Sequence, residues 1–128
     1  MSAMSDYLEL KFLDHCLGTA AFTHPSTVYV GVSTGSFGED NSGTEVSGGS
    51  YARVALSFAA ASGGAASTNS TATFPTATGS WGACSHFGIF DASTSGNLLI
   101  HGALSASKTI ATGDVLRVNS GDLTVTAA

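Results

Sequence analysis

Apolar positions change period once along this chain. Near the start they follow a helix: Leu10, Leu13 and Leu17 stand at i, i+3 and i+7, flanked by Phe12 and Cys16. Ser5 or Asp6 is placed to cap it, and Asp6 with Glu9 has the spacing of a capping box. Gly18 follows as a residue able to take the left-handed turn that ends a helix. The pattern predicts a helix over about 5–17, with Glu9, Lys11, Asp14 and His15 assigned to its polar side. It either covers one side of a sheet or docks on a neighbouring subunit.

After Pro25 the period becomes two, the spacing of strands. Val28, Val30 and Val32 alternate with Tyr29 and Gly31. A Gly/Ser-rich segment, 33–50, holds Glu39, Asp40 and Glu45 and is long enough to be read as a mobile or functional loop. Ala52, Val54, Leu56 and Phe58 then predict one face of a strand, with Tyr51, Arg53 and Ser57 on the other. Residues 59–70 read as a small-residue linker turning at Gly63-Gly64, and Ala72 and Phe74 as a short strand that Pro75 ends or places at an edge. Trp81 to Phe90 predicts a central strand, apolar on both faces. Trp81, Ala83, Ser85, Phe87 and Ile89 are assigned to one side, and Cys84, His86 and Phe90 to the other. DASTSGN (91–97) is a turn into a partner strand over Leu98–Leu104. Gly113-Asp114 and NSGD (119–122) punctuate two last strands, Val115–Val118 and Leu123–Val125. Short strands between Gly/Ser/Asn/Asp turns predict a mainly β protein, a β-sandwich or jelly-roll of antiparallel sheets with one N-terminal helix. The length fits one domain over 1–128, with no solenoid repeat.

Charge sharpens this picture. Only 10% of residues are charged, against roughly 25% in ordinary globular domains, while 43% are hydrophobic. Disordered chains lack that apolar content, so the chain folds and presents a bland surface suited to protein contacts. Net charge is −5, and the basic residues Lys11, Arg53, Lys108 and Arg117 are scattered. Nucleic-acid binding needs clustered Lys/Arg, so no nucleic-acid partner is expected. Met1–Leu17 is broken by Asp6, Glu9, Lys11 and Asp14, which is neither an export signal nor a membrane span. A cytoplasmic start and no membrane partner are therefore expected, and the sequon Asn69-Ser70-Thr71 is read as incidental. Cys16 and Cys84 show no framework spacing and are read as free thiols.

Candidate chemistry is sparse. Cys84, His86 and His101 form a faint metal-ligand constellation, with core or edge histidines as the simpler account. GGSYA (48–52) only approximates a nucleophile elbow and leads into a strand. Glu39, Asp40, Asn41 and Glu45 are oxygen ligands close in sequence, without EF-hand spacing. Trp81 is expected to anchor the core. No enzyme, metal or cofactor is expected.

Several runs carry a resemblance: GTEVSGGSYAR (43–53), FPTAT (74–78) leading into Trp81-Gly82, HFGIFDA (86–92), and the end from Leu98-Leu99 through Gly102-Ala103-Leu104, Ser107-Lys108 and Gly113-Asp114. Together they resemble a family of small virion structural proteins of tailed bacteriophages, often labelled tail fibre. The resemblance implies a multi-copy particle component, assembled in the host cytoplasm, with no catalytic residues. One compact domain without repeats leads to an expected role as a capsid decoration, or cement, protein on the major capsid protein, as a trimer. The alternative is a tail-fibre or tail-associated receptor-binding module. The expected interface residues are Leu10, Leu13 and Leu17 on the helix, Glu45 in the long loop, and Tyr51 and Arg53 on the following strand, Arg being favoured at interfaces.

Overall fold

A computed structural model describes residues 2–126. The chain runs β1 (Ser2–Met4), α1 (Asp6–Cys16), β2 (Val28–Ser33), β3 (Val54–Leu56), β4 (Ala65–Ser67), β5 (Ala72–Thr73), β6 (Gly82–Phe90), β7 (Leu98–Ile110), β8 (Arg117–Val118) and β9 (Thr124–Thr126). The expectation of a mainly β, antiparallel protein with one helix holds. Its main body is a five-stranded sheet in the order β1-β7-β6-β2-β3, with every neighbour antiparallel. In place of a second full sheet, two short ladders, β4-β9 and β5-β8, back it.

The helix begins where the Ser5 hydroxyl accepts the Leu8 amide at 3.2 Å. The capping pair is therefore Ser5 with the third helical residue, and the Asp6/Glu9 spacing has no such role. Ser5 also ties the helix to the sheet, because its buried hydroxyl donates to the Leu98 carbonyl and its amide to Leu99 at 2.8 Å. At the other end Gly18 sits at φ +80 and the Thr19 amide returns to the Asp14 carbonyl at 2.9 Å, the closure of a Schellman motif.

The main core joins both layers. Val30, Val32, Leu56, Phe87 and Ile89 of the sheet pack on Ala72, Phe74, Ala77 and Leu123, with Trp81 buried among them. Trp81 donates its indole N–H to the Gly49 carbonyl at 2.9 Å, so the expected anchor also pins the long loop. On the opposite face of the sheet a smaller cluster of Phe37, Phe90 and Leu98 forms.

Several expectations change, the strand expected over 115–118 shortening to Arg117–Val118 and that through 51–58 to Val54–Leu56. The linker 59–70 contains a strand, β4, hairpinned through Gly63-Gly64 by the Ser62–Ala65 bridge. The strand expected over 98–104 runs on to Ile110. The face assignment of β6 fails at Cys84, which is wholly buried in the same core as Phe87 and Ile89. A register shift between Cys84 and His86, where Lys108 and Ala103 are their partners, breaks the alternation. Lastly, segment 33–50 is anchored at Phe37, 1% exposed, and by the Val46 amide on Val32 at 3.1 Å.

Candidate functional site

The sequence-expected interface residues fall into two groups in space. Glu45, Tyr51 and Arg53 converge beside Gly31 of β2. Arg53 forks onto Glu45, with Nε on Oε2 at 2.9 Å and Nη2 on Oε1 at 2.8 Å. Its remaining nitrogen, Nη1, donates to the carbonyls of Ala92 at 3.0 Å and Ser95 at 2.7 Å. Tyr51 donates its hydroxyl to the same Glu45 carboxylate and accepts the Val32 amide at 3.0 Å. Burial, the hydrogen bond to Glu45 and the charge of that carboxylate hold the Tyr51 hydroxyl far above the ordinary tyrosine range.

This group is an internal clamp. The Arg53 side chain is 8% exposed and that of Glu45 22%, and all the donors used are matched within the chain. The reading of Tyr51 and Arg53 as an outward strand face is corrected: both precede β3 and turn inward, while Ala52 and Ala55 are exposed. The reason is the absent side chain of Gly31. A Cβ there would stand 2.6 Å from Glu45 Oε2 and 2.7 Å from the Tyr51 hydroxyl, so the glycine opens the space the clamp fills.

Leu10, Leu13 and Leu17 form the second group. They are 64%, 50% and 76% exposed, and no residue of α1 is buried. The helix is fixed at its start by Ser5 and the Asp6 amide, which donates to the Glu39 carbonyl at 2.9 Å. The result is a rigidly mounted helix that turns an apolar row to solvent.

The other candidates do not assemble. Cys84 faces the main core, while the register sets His86 opposite Ala103 and His101 opposite Gly88. His101 Nε2 is buried without a hydrogen-bond partner, and His86 bonds the Ser85 hydroxyl at 2.7 Å. Ser50 pairs with the Thr78 hydroxyl at 2.9 Å. Of the loop carboxylates, Glu45 is taken by Arg53, and Asp40 is held below the ordinary carboxylate range by the bonds Ser42 donates to it. Glu39 instead meets Asp6 and Glu9, their ligand atoms within 4.8 Å of one another. Sequence spacing gave no sign of that meeting, since Glu39 lies far from the helix along the chain. Cys16 is exposed and Cys84 buried, and both are free thiols.

A cleft of about 720 Å³ opens between β7 and the segment 116–124. Its floor is Val32, Phe87, Leu104 and Leu123, and Lys108 and Arg117 stand on its lining. Among the described residues no helix is long and apolar enough to cross a membrane.

The family described as podophage GP4 fiber I protein gp80 matches residues 3–126. A comparison with curated proteins finds no match. The chain belongs to this fiber protein family, a family of phage virion structural proteins.

Proposed function

We propose that this fiber-family chain is a non-enzymatic building block of a tail-associated virion fibre, held in place by contacts with identical copies. The observation that carries the reading is the family match along nearly the whole chain. It favours a fibre role over the capsid decoration expected from size and compactness. The molecule's physical character supports it. The clamp of Glu45, Tyr51 and Arg53 stiffens the loop–sheet junction internally, and α1 offers exposed leucines on a fixed mount. Repeated identical contacts of this kind make a strong assembly from weak units.

Electron microscopy of intact particles labelled with an antibody to this chain tests the proposal. Label confined to fibres at the tail is the expected result. Label spread over the head in many copies supports the cement reading instead and overturns the fibre assignment. Absence from the particle overturns both.

A further inference from the structure

We propose that the cleft beside β7 receives helix α1 of a second copy of this chain. The inference deepens the proposed building-block role by naming the two surfaces that meet. At about 100° per residue, Asp6 stands in line with Leu10, Leu13 and Leu17; Glu9 and Asp14, first assigned to the polar side, instead flank that row, while Lys11 falls on the far side. Glu39 adds its carboxylate beside Asp6 and Glu9. One helix face is thus apolar and acidic together.

The cleft has the opposite character. Its floor is apolar and its lining brings together Lys108 and Arg117, half of the chain's four basic residues in a molecule of net charge −5. Among the described residues the one ion pair is Arg53–Glu45, so neither Lys108 nor Arg117 holds a carboxylate within 4.0 Å. Asp122, the acid on the lining, accepts the Asn119 amide at 3.1 Å. The mode is helix-in-groove recognition, with anchors at i, i+3 and i+7. The helix does not fill its own cleft: no helix residue lines it, and Leu10, Leu13 and Leu17 stand exposed. The contact therefore joins two different surfaces of neighbouring copies, and it closes as a reciprocal pair or as a ring according to the rotation between them.

Native Cys16, exposed at the end of the helix, supplies the probe, because Cys84 is buried. Ser105→Cys places a thiol on the cleft lining, and Thr76→Cys serves as an exposed control elsewhere. Under mild oxidation Ser105→Cys is expected to give disulfide-linked chains on a non-reducing gel. Thr76→Cys, and Ser105→Cys combined with Cys16→Ser, are not. In sedimentation, Lys108→Glu with Arg117→Glu is expected to weaken self-association by on the order of tenfold or more, with the circular dichroism unchanged. Carbodiimide cross-linking of the unaltered chain, mapped by mass spectrometry, should join Lys108 to helix carboxylates of another copy. Self-association that persists without these cross-links overturns the cleft assignment and leaves the fibre reading intact. A chain that stays monomeric overturns it too. Absence of the chain from particles removes the fibre reading alone.

Discussion

The guanidinium of Arg53 lies over the ring of Phe90, its Cζ 3.5 Å from the ring centroid. Phe90 is itself fully buried against Phe37 and Leu98. One residue therefore bonds the long loop through Glu45, caps the 91–97 turn through two carbonyls, and roofs the smaller core. Removing one partner of a buried pair strands the other charge, at about 3–5 kcal/mol. Arg53→Ala is expected to cost near the low end of that range, because Glu45 keeps some contact with solvent. Arg53→Lys is expected to recover little, since an ammonium cannot reproduce the two-pronged geometry. Urea denaturation of Arg53→Ala, Glu45→Ala and the double variant measures the coupling. Were Arg53 instead an intersubunit contact, the loss would appear only in the assembled form.

Gly31→Ala should disturb the same clamp without touching its members. The new methyl meets two oxygens well inside contact distance, and overpacking of this kind costs about 1–3 kcal/mol. Thermal unfolding is expected to show a lower midpoint. Combined with Glu45→Ala, the penalty of Gly31→Ala should shrink, because the displaced side chain is gone. Equal penalties in both backgrounds would remove the steric account.

The Tyr51 hydroxyl gives the clamp a pH signature. Its folded-state pKa is raised, first by burial and then by Glu45. The folded chain therefore holds the proton more tightly than the unfolded chain, whose tyrosine titrates near about 10. The stabilisation is complete below that value and declines as pH rises through and beyond it. Unfolding midpoints followed from about pH 8 to about pH 11 should fall more steeply for the native chain than for Tyr51→Phe. Parallel slopes would show that Tyr51 does not contribute to alkaline unfolding.

The fold was largely readable from pattern, and its departures have local causes. Ser5, Gly18 and the Leu10/Leu13/Leu17 spacing marked the helix, and alternating valines marked β2. Strand β4 escaped notice because Ala65, Ala66 and Ser67 carry no strand preference and gain their role only from β9 across the ladder. The extension of β7 escaped for the same reason, its sequence from Ser105 to Thr109 being small and polar. Period-two reasoning placed Cys84 on the wrong face because a register shift resets the phase without a residue that announces it. The sequence places Glu45 in the long loop and Tyr51 and Arg53 on a strand, as separate surfaces for contact with other subunits. What brings them together is a glycine within β2, and a glycine inside a strand is the usual sign of close approach by another group. The meeting of Asp6 and Glu9 with Glu39 depends on how the loop returns past the helix, which no local pattern encodes.

The two thiols separate local from global opening. Cys16 is exposed on α1, whereas Cys84 has no exposed surface and burial raises its pKa. The thiolate is the reactive form, so Cys84 is protected twice, by access and by protonation. A maleimide pulse at neutral pH is expected to label Cys16 quickly and Cys84 only on unfolding. Cys84 sits under the register shift of β6, where the ladder with β7 is interrupted. Local opening of that ladder would free it without unfolding the whole chain. Labelling of Cys84 whose rate follows the urea dependence of global unfolding shows that the shift is part of the rigid core. Labelling that ignores low urea identifies the shift as the weakest point of the sheet, on the strand that walls the cleft.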